Sequence, residues 1–424
     1  MGPPSERDTA RESPETTVAT EGDWRDFGFD EGARSIQHRA APSFPGEVEM
    51  SWLTLVMLIA GFVLLLVGAE LLVRGASHLA IAFGISPLVV GLTVVSFGTS
   101  SPEISVSLDS ALRGQGDIAI GNVVGSNTFN VLFVLGVAAL VTPLTVDGRL
   151  VRREVPIMIV TGIAMLLLTL DGTLGRIDGV LLTLGLVAFI AYLVRGARKE
   201  RADAAADPNH EPVSPASRAR LALDAVLIMA GLGLLVLGSR WLVNGAVELA
   251  RAFGVSELII GLTIIAAGTG LPEVATSVVA AFRGERDIAV GNAVGSNIFN
   301  ILAVLGLVGL VTPGGVSVSP AARSFDIPVM VATCIVALPI FFSGMRIARL
   351  EGVLFLSLYT AYVAYLVLDS RGHDALPFLS NVMLYVVLPL TVILVAVTTA
   401  HSALETRRAK ATANSSGTTP PTQG

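Results

Sequence analysis

GTSSPE fills residues 98–103, and GTGLPE fills residues 268–273. Each hexapeptide lies inside a long apolar block, where a carboxylate is expensive and a proline interrupts the helix. The spacing of 170 (269 − 99) holds far beyond the hexapeptides. Residues 61–143 overlie residues 231–313 without a gap, and roughly half of the aligned positions are identical. GISPLVVGLTVVSFGTSSPE is matched by GVSELIIGLTIIAAGTGLPE, and DIAIGNVVGSNTFNVLFVLG by DIAVGNAVGSNIFNILAVLG. One design therefore occurs twice, and both copies keep the two costly residues.

The composition around these repeats is that of a polytopic membrane protein. Of 424 residues, 52% are hydrophobic and 15% charged, with mean hydropathy +0.72. A water-soluble domain carries about 25% charged residues. Apolar blocks long enough to cross ~30 Å of hydrocarbon as helices fall near 53–73, 86–111, 118–141, 155–171, 178–195, 222–243, 257–281, 288–311, 325–343, 352–369 and 378–398. The expected fold is all-α, with two inverted five-helix repeats and one extra C-terminal helix. The first repeat takes residues 51–195 and the second 221–370, joined by the polar linker 196–220. The extra helix takes 371–400, and a polar tail runs through 401–424. Residues 1–50 are polar and acidic with no apolar core, so they are expected to be a disordered head and not a signal peptide. Met50 stands directly before the first block and is an alternative start of translation, which the mass of the native N-terminus would resolve. The single cysteine, Cys334, excludes an internal disulfide and a thiolate metal cluster.

Arginine orients the chain. One alternating set of loops holds Arg74, Arg149, Arg152, Arg153, the arginine-rich linker, Arg283, Arg286, Arg346, Arg349 and the tail. The other set holds Arg113, Arg176, Arg251, Arg323 and Arg371, about one per loop. The positive-inside rule makes the first set cytoplasmic. The head is then outside, the linker and C-terminus inside, and the expected location is the plasma membrane. Because each half has an odd number of spans, the second copy enters the bilayer upside down. Inverted repeats of this kind mark secondary transporters, with the substrate site near the midplane where the repeats meet.

Glu103 and Glu273 must therefore face the interior of the bundle and find a partner there. Few basic residues share their depth, Arg240 being the nearest and closer to a span end, so a bound cation is the more economical partner. Pro102 and Pro272 lack the N–H that would bond the carbonyls of Gly98 and Gly268, which loosens the helix and frees oxygen donors. Thr99, Ser100 and Thr269 add hydroxyls on the turn that carries each glutamate. In the GNxVGSNxFN run, Ser126 and Asn130 are i,i+4, as are Ser296 and Asn300. Asn122 and Asn292 lie a turn back, with Asn127 and Asn297 to the side. Gly121, Gly125, Gly291 and Gly295 form GxxxG spacings that allow close packing. Carboxylate, hydroxyl and amide oxygens without imidazole or thiolate describe a hard-cation site. A lone GxxxG or proline is usually packing or a kink, and a lone Ser or Asn is interhelical glue. Packing alone does not require all of them to recur at fixed spacing in both halves. By contrast, Asp109 has no counterpart, Asp117 and Asp287 are expected as helix N-caps, and His78 is expected at the interface.

At these residues the chain resembles the cation/Ca²⁺ exchanger superfamily, and most of all the prokaryotic sodium/calcium exchangers, whose repeats carry GTSxPE followed by GNxxGSNxxN/D. The resemblance covers roughly residues 53–369. It implies a core of ten helices in two inverted repeats around central ion sites. Glu103 and Glu273 would bind Ca²⁺ in competition with Na⁺. Thr99, Ser100 and Thr269 would add oxygens, as would the carbonyls of Ser96 and Ala266, and Ser126, Asn130, Ser296 and Asn300 would complete the ring. Gly270 stands where the family usually has serine, Asn300 where many members have aspartate, and the eleventh span lies outside the family core. Two carboxylates balance one Ca²⁺ or two Na⁺, whereas three Na⁺ leave a surplus charge.

The function expected is a Ca²⁺/Na⁺ antiporter working by alternating access and not an enzyme, with the first and sixth spans sliding over a rigid core. H⁺ as counter-ion is the runner-up, and a passive cation channel is less favoured because the repeat argues against an open pore. An intramembrane enzyme lacks the His, Lys–Ser pair or paired aspartates it would need. The expected partners are Ca²⁺, Na⁺ and the bilayer, with H⁺ or K⁺ as further candidates. No resident cofactor and no nucleic acid is expected, and the chain is expected to work as a monomer.

Overall fold

The computed structural model describes residues 52–206, 217–253, 255, 260, 264, 266–342, 344–370, 375–382 and isolated positions up to 396. The acidic head, the middle of the linker, most of 256–265 and the tail lie outside the described residues. In order, the helices are α1 (Trp52–Phe83), the bent pair α2 (Pro87–Thr99) and α3 (Ser101–Leu112), α4 (Gly116–Val141), α5 (Val155–Leu168) and α6 (Arg176–Ala206). The second half follows with α7 (Arg218–Ala252), α8 (Ala266–Gly268), α9 (Leu271–Phe282), α10 (Arg286–Val311), α11 (Ala322–Phe342) and α12 (Arg349–Ser370). The eleventh span begins as α13 (Leu376–Val382), and most of the remainder lies outside the described residues.

Four two-residue strands record the inversion. β1 (Leu144–Thr145) pairs with β4 (Arg346–Ile347), and β2 (Thr173–Leu174) pairs with β3 (Val316–Ser317), both antiparallel. The loop after the third span of one half thus meets the loop after the fourth span of the other. That pairing requires the halves to run oppositely through the membrane, and it joins them at both ends.

α4 and α10 form the centre: 78% and 83% of their apolar windows are buried, against 33% and 28% for α1 and α7. The two outer helices pack on each other along their length, and small residues permit it. A Cβ added at Gly68 would lie 2.8 Å from the carbonyl oxygen of Gly231, and one at Gly231 would lie 2.7 Å from that of Gly68. Gly61 and Gly238 oppose each other in the same way, which makes the pair antiparallel about the internal two-fold axis. Both helices run past the boundaries expected at 73 and 243; in α1, Arg74 pairs with Glu70 one turn back and does not end the helix. α1 also bonds the turn before α10, through Glu70–Arg283 and Ser77–Glu285.

Two further local readings are settled by backbone geometry. Gly114 and Gly284 adopt φ of +78° and +82°. Each closes its helix with a pair of bonds, Gln115 N–H to Ser110 O at 2.8 Å and Gly114 N–H to Ala111 O at 3.0 Å in the first half, and Glu285 N–H to Ala280 O at 2.9 Å and Gly284 N–H to Ala281 O at 3.2 Å in the second. This turn puts Gln115 and Glu285 at the N-cap positions of α4 and α10, so Asp117 and Asp287 are not the caps but lie inside the first turn. Acidic groups there still favour the helix dipole, and Asp117 Oδ1 also accepts the Ser319 N–H at 3.1 Å. His78 sits half-exposed at the end of α1, 3.3 Å from Asp224 of α7.

Candidate functional site

The break between α2 and α3 is a bend of 43° centred on Ser100, whose ψ of 5° leaves the helical region. Pro102 occupies the first turn of α3, where its missing N–H has no intrahelical partner to lose, so the proline restarts the helix at little cost. Gly270 and Pro272 repeat the arrangement ahead of α9. The freed carbonyls fare less simply than the sequence implies. Gly268 O accepts the Ser239 hydroxyl of α7 at 2.6 Å. Ser96 O accepts the Ser100 N–H at 3.0 Å and the Thr99 hydroxyl at 3.3 Å. Gly98 and Gly268 also admit α7, since a Cβ on them would lie 2.6 Å from Leu232 and 2.7 Å from Val243. Ala266 opens α8, directly before the second break.

Each break delivers its glutamate to the boundary between the halves, and the groups facing it come from both. Glu103 is met by Ser126 of its own half and Thr269 of the other. Glu273 is met by Ser296 of its own half and by Thr99 and Ser100 of the other. The two carboxylates also lie within electrostatic reach of each other. Both are buried, at 1% and 0% exposure. Glu103 Oε2 and both oxygens of Glu273 have no hydrogen-bond partner, nor do Ser100 Oγ, Asn130 Oδ1, Asn297 Oδ1 and Asn300 Oδ1. Among the described residues no Lys, Arg or His pairs with either glutamate, and Arg240 is exposed on α7.

Amides hold this arrangement. Asn292 accepts the Thr99 hydroxyl at 3.0 Å and donates to Ser277 Oγ at 3.1 Å and towards Glu273 O at 3.5 Å. Its counterpart Asn122 reaches Thr269 at 3.5 Å, Ser107 Oγ at 2.9 Å and Glu103 O at 3.4 Å. Asn127 and Asn297 donate to each other's backbone carbonyl at 3.2 Å, a reciprocal pair on the internal axis. Asn300 donates to Asn127 Oδ1 at 3.0 Å. Asn130 and Asn300 each begin a π-helical turn, Asn130–Val134 and Asn300–Leu305, a local unwinding that recurs at functional sites. Of the GxxxG pairs, Gly295 packs against α2 so closely that a Cβ would lie 2.3 Å from Ser96 Oγ. For Gly121 and Gly125 no described residue comes within 4 Å of such a Cβ.

Of the residues named from sequence, Thr99, Ser100, Thr269, Ser126 and Ser296 meet the two glutamates, and Asn300 joins the amides on the axis. Asn130 and Ala266 make no such contact among the described residues, and Ser96 gives its hydroxyl to Gly91 O at 2.6 Å. Sequence reasoning passed over Ser107, Ser277 and Ser239. Ser107 and Ser277 carried a usable signal, since each stands four residues after its glutamate in both copies.

Two inverted five-helix repeats closing around buried carboxylates that no described cationic side chain pairs make a membrane transporter of cations. Comparison narrows this class. The chain belongs to the sodium/calcium exchanger protein family, which matches residues 53–195 and 223–368. It is 42% identical over 282 residues to inner membrane protein YrbG of Escherichia coli (strain K12), covering 66% of this chain and 86% of that one. It is 30% identical over 345 residues to the sodium/calcium exchanger MaX1 of Methanosarcina acetivorans, covering 73% and 97% respectively. The solved structure of the sodium-calcium exchanger NCX_Mj soaked with 2.5 mM Na⁺ and 0.1 mM Ca²⁺ matches with TM-score 0.63 at 29% identity, over 74% of this chain and 99% of that one. Cation/Ca²⁺ exchange by a multi-pass membrane protein is the activity that this membership carries.

Proposed function

We propose that the chain exchanges Ca²⁺ for Na⁺ across the plasma membrane, with both ions using the oxygens between Glu103 and Glu273. The observation that carries the reading is the set of buried, partnerless oxygens gathered around two carboxylates that no basic residue among those described balances. A buried carboxylate is tolerable only when its charge is met, and Ca²⁺ favours 6–8 oxygen donors of these types. Ca²⁺ bridges the two glutamates. Thr99, Ser100, Thr269, Ser126 and Ser296 supply hydroxyls, Asn130 and Asn300 supply amide oxygens, and the carbonyls of Ser96 and Ala266 complete the donor set. Without a cation the two negative charges oppose a change of access, so one ion must leave as another enters. α1 and α7 slide over the central helices to switch access, and their smooth glycine seam supports that motion. The arginine distribution supports a cytoplasmic linker and C-terminus and an outside N-terminus. The chain works as a monomer with no resident cofactor.

Glu103→Gln and Glu273→Gln keep the shape of the side chain and remove one charge each. Losing one member of a buried charge interaction costs about 2–5 kcal/mol, so Ca²⁺ binding should weaken by at least ~30-fold and exchange should fall to background. The check is Na⁺-driven ⁴⁵Ca²⁺ uptake by reconstituted protein of unchanged elution and melting behaviour. Near-normal uptake by either variant removes the mechanism. A proton is the other monovalent ion these carboxylates accept, and uptake driven by a pH gradient and indifferent to Na⁺ would select it.

A further inference from the structure

The two faces of the molecule are fastened differently. On the face that the arginine count assigns to the cytoplasm, Arg283 follows α9 and grips Glu70 of α1 through two donors, Nε to Oε2 and Nη2 to Oε1. Two turns further along α1, the Ser77 hydroxyl donates to Glu285 Oε1, in the turn that leads into α10. Gly284, with φ of +82°, shapes this turn, and the two helices it joins carry Glu273 and Ser296. α1 is thus tied to the core that holds the site. α7 is tied with it, since Thr54–Glu248 and His78–Asp224 pin the two ends of their seam. α1 also packs along α9 on this face, whereas the equivalent pair on the other face, α7 and α3, barely touches.

The repeat offers the same four positions on the opposite face, 170 residues away. Arg240 stands for Glu70, Arg113 for Arg283, Val247 for Ser77 and Gln115 for Glu285. Two arginines repel, and a valine side chain donates no hydrogen bond, so these bonds cannot form there. One more substitution completes the pattern. Arg113 is bonded by Asp109 of its own helix at 2.9 Å. The position equivalent to Asp109 is Val279, so no acid stands one turn before Arg283, and it reaches across to α1 instead. We infer, on the basis of the exchange reading and the topology above, that Glu70–Arg283 and Ser77–Glu285 form a one-sided clasp biasing the access equilibrium. The clasp is made while the cytoplasmic side is closed and must open before α1 and α7 slide to expose the site there. Opening towards the outside breaks no such pair. These four are positioning residues, which act on the ions only through the two helices.

The test compares inside-out and right-side-out membrane vesicles containing the full chain, loaded with Na⁺ and diluted into ⁴⁵Ca²⁺. Half-saturating Ca²⁺ on each face varies inversely with the fraction of molecules open to it, so the outer-to-inner ratio follows the access equilibrium. Glu70→Gln keeps the side-chain shape and removes the ion pair. Arg283 and Glu70 are 35% and 29% exposed, and a bidentate pair of that kind is expected to raise the ratio about fivefold when lost. Arg74→Gln removes only the same-helix partner of Glu70, at 2.7 Å, and is expected to leave the ratio where it was. Arg240→Glu supplies the missing acid on the outer face and is expected to lower the ratio. A purely structural role would change total flux and melting without moving the ratio. A ratio unmoved by Glu70→Gln, not lowered by Arg240→Glu, or moved equally by Arg74→Gln overturns the inference and leaves exchange standing. No Na⁺-dependent uptake by the unaltered chain in either kind of vesicle would overturn the exchange reading, and the inference with it.

Discussion

Glu273 and Asn292 show how a site of this kind is divided between charge and support. Glu273 offers two free oxygens, while Asn292 uses its whole amide to hold Thr99, Ser277 and the Glu273 backbone in place. Asn292→Ala leaves the Thr99 and Ser277 hydroxyls short of a partner, at a cost of about 1–3 kcal/mol, so half-saturating Ca²⁺ in uptake assays should rise about tenfold while the carboxylates remain. An unchanged Ca²⁺ dependence would make Asn292 a packing residue only. Much of this was legible in the sequence, because a glutamate, two hydroxyls and an amide recur at fixed spacing and only a shared task requires that. The positions of Asn127 and Asn297 were not legible. Helical spacing puts them beside the Ser126–Asn130 face, and only the docking of one half on the other turns that side into the axis where the two amides exchange bonds. The obstruction of Gly270 by Phe129, whose ring a Cβ there would meet at 2.6 Å, was hidden for the same reason, since a missing serine reads as empty space until the ring beside it is placed.

At the scale of the element, the seam between α1 and α7 and the breaks before α3 and α9 govern function. The breaks were readable from Pro102 and Pro272, and the structure adds that a π-helical turn follows each Ser/Asn pair. Helix ends were less readable: the charge at Arg74 marks a boundary in a hydropathy profile, yet α1 runs on to Phe83. The seam makes a sharp prediction. Gly68→Leu would drive its side chain into the backbone of Gly231 and Leu235, each 2.8 Å from the first added carbon. Overpacking of this kind costs about 1–3 kcal/mol or more, so the purified variant should melt at a lower temperature and lose transport. Gly233→Ala is the control, because nothing described lies within 4 Å of its added carbon and the helix gains a better former. Equal behaviour of the two variants would dismiss the seam.

Over the whole molecule, the inverted repeat was legible from the sequence alone, since two copies of five spans leave no other orientation. The cross-paired strands were not, because two-residue strands carry no periodic signal. They link the halves at both ends, β1 to β4 and β2 to β3. Orientation can be checked in a Cys334→Ala background. A cysteine at exposed Arg198 should react with an impermeant maleimide only after the membrane is opened, and one at exposed Thr173 should react from outside in intact cells. The reverse pattern would invert the assigned topology. The most direct test of the central claim is ⁴⁵Ca²⁺ uptake into proteoliposomes loaded with Na⁺ and diluted into Na⁺-free buffer, beside choline-loaded vesicles. Uptake is expected in the Na⁺-loaded vesicles alone. Equal uptake in both, or none in either, would contradict it.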